Sequence, residues 1–168
     1  MTMHPLLTIL PGLGEFERLK RCLLAGEGPA SVFGLPEPHR AHVFAGMCAH
    51  TERAALIVAA SELAAGRLAD EMNAYGINAV HFPARDIPLT GKTYASSSGV
   101  NARRVAALTK LCSGEKLAVC VGAEALLQRL APPEAIWGAC FKLQVGQTIE
   151  PRRLLEELIG AGYEACAR

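Results

Sequence analysis

Apolar and polar positions alternate along this chain in blocks of distinct period. Residues 15–25, EFERLKRCLLA, bring Phe16, Leu19 and Leu23 to one face and leave Glu17, Lys20 and Arg21 outside. That spacing predicts an amphipathic helix, closed by Gly26, Gly28 and Pro29. A short apolar run, Ala30 to Phe33, then reads as a strand entering Gly34, with a loop and a helix from near Arg40 to near His50. Residues 54–60, AALIVAA, form an unbroken apolar run of strand length, the pattern of a parallel strand covered on both faces. Ser61 is placed to cap a helix that turns Leu63, Leu68, Met72 and Tyr75 inward and stops at Gly76. Ile77 to Phe82 reads as the next strand, stopped by Pro83.

After a long loop at 83–99, Ser97 or Ser98 caps a helix from Val100 to Leu111. Its inward residues are expected to be Val105, Leu108 and Leu111, with Arg103 and Arg104 mostly outside. Leu117 to Val121 is the fourth strand, and a helix from Glu124 to Leu130 follows, ended by Pro132 and Pro133. Ala139 to Val145 alternates around Lys142 and Gln144, as a half-exposed strand does. Pro151 opens a last helix that is expected to bury Leu154, Leu155 and Leu158. Four strands alternating with helices predict a doubly wound α/β layer: a parallel sheet with helices on both faces. The pattern changes near Lys142. It suggests a helical lead-in at 1–29, an α/β domain at 30–142 and the start of a second domain at 143–168.

Composition narrows the classes. With 168 residues, 51% hydrophobic and 20% charged, the chain can bury a full core and is not disordered. A net charge of +1 argues against attraction of the whole surface to nucleic acid or membrane. Aromatics at 5% argue against a base-stacking platform. The six cysteines, Cys22, Cys48, Cys112, Cys120, Cys140 and Cys166, form no C-x-x-C pair and lie in apolar segments. They read as reduced thiols in a cytoplasmic protein. His39, His42 and His50, beside Cys48, are the nearest approach to a metal cluster, but no second dyad completes it and no metal is expected. The first residues, MTMHPLLTILPGLG, have neither the charged start of a signal peptide nor the apolar length of a membrane anchor.

The expected strand, glycine loop and helix around Gly34 have the layout of a phosphate-binding loop. Laid on the Walker spacing, His39 stands at the second glycine, Arg40 at the lysine and Ala41 at the hydroxyl residue. The chemistry is missing. Pro36 and Pro38 have no N–H to cradle phosphate, His39 brings a Cβ to a place of close approach, and Ala41 has no oxygen for Mg²⁺. No cofactor is therefore expected. Gly91, Lys92 and Thr93 mimic the end of a Walker motif, but Asp86 stands where its first glycine belongs and no strand runs into it. The strand at Leu117 is followed by Gly122, Ala123 and Glu124, not by the paired acids of an ATPase. His81 has no catalytic partner marked by the sequence. Arg85, Lys92, Arg103 and Arg104 are candidate basic contacts for phosphate or a carboxylate.

Several segments together resemble a family. They are LIVAASELAAGRLADEM, HFPARDIPL followed by NARRVAALTKL, AVCVGAEALLQRLAPPE, and LQVGQTIEPRRLLEELIGAGYE. In this order they are similar to the N-terminal module of the bacterial transcription-repair coupling factor (Mfd), itself similar to the excinuclease subunit UvrB. The resemblance runs from about Val32 onward. It implies a RecA-like, P-loop-type fold with a worn nucleotide loop, no catalysis in this part of the parent, and docking of UvrA through the full module. Most of that docking surface would lie beyond Arg168. It also implies that RNA polymerase and DNA are engaged by other modules of an ATP-driven translocase. The 83–99 loop carries only Tyr94, unlike the tyrosine-rich hairpin with which UvrB handles damaged DNA. Two alternatives stand beside this reading: a helicase-like ATPase domain, and a weak DNA-binding module using the four basic residues.

Overall fold

A computed structural model describes residues 3–85, 98–139, 143–161, 163 and 166. In chain order the elements are α1 (Pro5–Thr8), a 3-10 turn (Leu10–Gly12), α2 (Gly14–Ala25), α3 (Glu37–Thr51), β1 (Ala55–Ala59), α4 (Glu62–Ala74) and β2 (Ala79–Phe82). They continue with α5 (Ser98–Cys112), β3 (Ala118–Gly122), α6 (Ala123–Leu126), α7 (Pro133–Ala139) and α8 (Pro151–Gly160). The chain divides into two compact units, Met1–Arg129 and Leu130–Arg168.

The first unit is α/β, built on an open parallel sheet of order β1-β3-β2. β3 lies in the middle and all five of its residues are buried. The connection β1–α4–β2 crosses the sheet in one direction and β2–α5–β3 returns. Reversing the direction of a right-handed crossover moves its helix to the other face. Accordingly α4, backed by α3, α1 and the buried Phe16 of α2, covers the face that carries Ala55, Ile57, Ala79, Ala118 and Cys120. The face that carries Val80, Phe82, Val119 and Val121 packs on Ala107 and Leu108 of α5 and Ala125 of α6. The expected layers are therefore present, with three described strands.

Local chemistry explains the helix ends. Ser61 Oγ accepts the Ala64 N–H at 3.2 Å and caps α4, as its sequence position suggests. The inward stripe of α4 is Ala65, Leu68, Ala69 and Met72, while Leu63 is exposed. Gly46 in α3 lies at a close contact with the N-terminal segment. A Cβ there would run into the end of the Leu10 side chain and come within 3.1 Å of the Phe16 ring, so a larger residue makes the N-terminal side chains shift where they seat on α3.

Several expectations fail. Ala30 to Phe33 is not a strand: it is irregular and exposed, with Phe33 90% accessible. Among the described residues no neighbouring strand offers it a ladder, and an apolar run of four residues does not hold itself extended without one. The helix after it begins at Glu37, earlier than Arg40. Pro36 supplies the extended N-cap backbone and Pro38 sits in the first turn, where its missing N–H does no harm. The half-exposed strand expected at Ala139 to Val145 is also absent where it can be seen. Ala139 ends α7 and Val145 lies in a turn, while 140–142 fall outside the described residues. Pro133, read from sequence as a stop, is instead the first residue of α7, a position that suits proline.

In the second unit, α8 carries the ion pairs Arg152–Glu156 and Arg153–Glu157 at i,i+4 spacing. Leu154 and Leu158 are half-buried and Leu155 is exposed, so the expected burial of all three is only partly met.

Candidate functional site

The loop into α3 is the first candidate. Gly34 takes φ +75°, a conformation that favours glycine, so the chain does turn there. Beyond it the groups that would hold phosphate are missing or engaged. Pro36 and Pro38 have no N–H, and the His39 N–H donates to Pro36 O at 3.0 Å. Within this first turn only Glu37 retains a main-chain donor, and its own carboxylate opposes an anion. His39 and Arg40 are exposed. Ala41 is 2% accessible and packs into the core beneath α3, so the position of the Walker hydroxyl faces the protein interior.

The histidines beside this loop tie helices together. His42 Nε2–H donates to Leu6 O at 2.7 Å, and His50 Nε2–H donates to Leu7 O at 3.0 Å. His42 stacks on Tyr75 with centroids 5.2 Å apart, and His50 meets Phe16 edge-on. These bonds attach α1 to α3. Among the described residues no group of three or more His, Cys, Asp or Glu is gathered as a metal would need.

The second candidate lies at the carboxyl edge of the sheet, where open α/β layers place ligands. His81 Nε2, at the end of β2, sits 2.8 Å from Glu62 Oε1 at the start of α4, off the line of the ring N–H. Glu62 Oε1 also accepts the Ala84 N–H at 3.1 Å. Gly66 lies against the imidazole, and a Cβ on Gly122 would come within 3.0 Å of Glu62 Oε2. Sequence reading marked no partner for His81. The partner is 19 positions earlier and arrives only because α4 returns the chain to the same sheet edge.

Arg104 departs furthest from expectation. It is 4% accessible and not outward. Nη1 donates to Pro83 O at 2.5 Å, and the guanidinium lies 4.2 Å above the Phe82 ring centroid. Nη2 has no partner among the described residues. Burial lowers its pKa, the nearby Arg85 lowers it further, and Glu62 acts in the opposite sense. This contact rotates α5. The inward set becomes Arg104, Ala107 and Leu108, and Val105 is left exposed.

Of the other candidate cations, Arg85 and Arg103 engage different partners. Arg85 exchanges two bonds with Gln128: its N–H donates to Oε1 at 2.9 Å, and its carbonyl accepts from Nε2 at 2.8 Å. Its guanidinium donates to Arg129 O. Arg103 is exposed and bonds Gly99 O in its own helix. Lys92 and the GKT triplet lie outside the described residues. A groove of about 800 Å³ runs between α4 and α5 beside β2, lined by Arg67, Asp70, His81, Arg103 and Lys110 among others. The Glu62–His81 contact orients an imidazole, and the thiol opposite it in the ladder, Cys120 of β3, is fully buried with its pKa raised by burial. The evident effect of the contact is to join α4, β2 and the segment after β2.

No known protein family and no characterised protein matches this chain. Among the described residues no helix is long and apolar enough to cross a membrane.

Proposed function

We propose that this chain is a non-catalytic scaffold from a transcription-repair coupling factor. It would correspond to the UvrB-like N-terminal module, with a RecA-like, P-loop-type core whose nucleotide loop has lost its chemistry. In the parent protein it would help to present the docking domain for UvrA, in the cytoplasm, while RNA polymerase and DNA are engaged by other modules. The ordered sequence segments suggest the family. The observation that carries the non-catalytic reading is the first turn of α3: two prolines, an N–H already engaged by Pro36, an acidic side chain and a buried Ala41. The buried, carbonyl-bound Arg104 also weakens the DNA-binding alternative, because it removes one of the four candidate cations from the surface.

Titration of the purified chain with a fluorescent ATP analogue in Mg²⁺ tests the central claim, with UvrA pull-down on the same sample. No saturable nucleotide signal is expected. Saturation at submillimolar analogue would overturn the reading and favour the ATPase. Retention of UvrA would indicate that docking reaches into these residues.

A further inference from the structure

Among the described residues β1 is an edge strand, paired with β3 on one side only. One bond shows which of its main-chain groups point outward. Ala55 donates its N–H to Leu117 O at 3.0 Å. Ala55, Ile57 and Ala59 therefore turn their groups toward β3, and Leu56 and Val58 turn theirs away from the sheet. Those outward groups have no hydrogen-bond partner among the described residues. The same two side chains are 61% and 54% accessible. Edge strands are ordinarily guarded by a charge, a proline or a bulge. Residues 54–60, AALIVAA, contain no charge and no proline.

This segment reads almost identically in both directions about Ile57. A two-fold contact requires a surface that complements itself. We propose that β1 pairs antiparallel with β1 of a second copy of this chain, about an axis through Ile57, to give a continuous six-stranded sheet. In that register Leu56 faces Val58 of the second copy and Ala54 faces Ala60. These are the positions whose N–H and C=O point outward, so each facing pair can exchange two hydrogen bonds. Ile57 faces its own copy at a non-bonded position. A slip of one residue would set outward groups against inward ones, and a slip of two would shorten the ladder. Because the axis is perpendicular to the sheet, the Leu56 and Val58 side chains of both copies lie together on one face. The nearest charges stay out of the way: Arg53 is held by the carbonyls of Leu23 and Leu24 at 3.0 and 3.4 Å, and Glu62 lies beyond the paired stretch. This inference is independent of the repair assignment.

Sedimentation equilibrium across a micromolar concentration series, with residue-level amide exchange on the unmodified chain, tests it. A monomer–dimer equilibrium is expected. The Leu56 and Val58 amides should gain protection in proportion to dimer, while the Ile57 amide is protected at every concentration. Val58→Lys should weaken association by on the order of tenfold or more, with an unchanged circular dichroism spectrum because the side chain is exposed. Leu24→Lys, on an exposed part of α2, should leave association intact. A chain that stays monomeric overturns the proposal. So does a dimer whose Leu56 and Val58 amides exchange freely, a result that needs no variant to fold.

Discussion

Arg104 shows most directly how a single side chain organises its surroundings. Its guanidinium joins the ring of Phe82 and the carbonyl of Pro83, and a lysine offers neither the planar stack nor the fork of donors. Arg104→Lys is expected to lower stability by about 2 kcal/mol, measured by urea denaturation. Arg103→Ala, one residue away but exposed, should change it by no more than about 0.5 kcal/mol. This contrast was not legible in the sequence. Polarity alone puts both arginines outside, and the partners that bury one of them come from another strand and its loop. The Glu62–His81 contact was hidden for the same reason. Cys120 was legible: a thiol inside LAVCVG reads as a small core residue, and it is fully buried. Burial, reinforced by nearby Cys48, pushes its pKa from an ordinary value of 9.0 to about 11. The folded chain thus keeps a proton that the unfolded chain releases. This contribution is complete below pH about 9 and is lost as pH rises toward 11, by on the order of 2 kcal/mol. Urea midpoints through that window should fall less steeply for Cys120→Ala than for the unmodified chain.

Elements were legible where their signal is local. The apolar runs of β1 and β3 and the cap of α4 needed only sequence neighbours to be read. Ser61→Ala should cost about 1 kcal/mol in the same denaturation assay. The run at Ala30 to Phe33 has a similar appearance but no ladder partner, and composition carries no information about a missing neighbour. Pro133 was misread because proline marks the start of a helix as readily as the end of one. The free edge of β2 has a device with no sequence signature. Asn73 Nδ2 donates to Ala79 O at 2.9 Å and its Oδ1 accepts the Ala79 N–H at 3.1 Å, so an amide side chain stands in for a neighbouring strand. Asn73→Ala leaves both groups of the buried Ala79 unpaired. A loss of about 2 kcal/mol is expected, with faster exchange of the Ala79 amide. Gly46→Val in α3 would press on Leu10 and Phe16, and a loss of about 2 kcal/mol is expected there too, with weaker near-ultraviolet signals from the N-terminal helices.

For the molecule as a whole, the class was readable and the completeness of the layer was not. Alternating strands and helices gave α/β with a parallel sheet, and both helix-covered faces are present. The described sheet has three strands and two edges, one screened by Asn73 and the other bare. The loop at Gly34 has little that could be restored by substitution. His39→Gly with Arg40→Lys and Ala41→Thr would leave Pro36, Glu37 and Pro38 in place and put a hydroxyl into the core. That triple variant is expected to lose stability by about 1 to 3 kcal/mol and to gain no nucleotide binding by the fluorescent titration. Acquired saturation would mean that the loop retains a latent cradle.

The middle strand of the sheet is the last of the three to be synthesised. β1 and β2 never touch, so neither has a ladder until residues 118–122 have emerged between them. Roughly sixty residues separate the end of β1 from the start of β3, and at about 5–20 residues per second a ribosome takes several seconds to add them. Throughout that interval AALIVAA is an apolar stretch with no ladder partner on either side. The growing chain is therefore most open to holdase chaperones, and to misassembly with a neighbouring nascent chain, in the time between its first strand and its last.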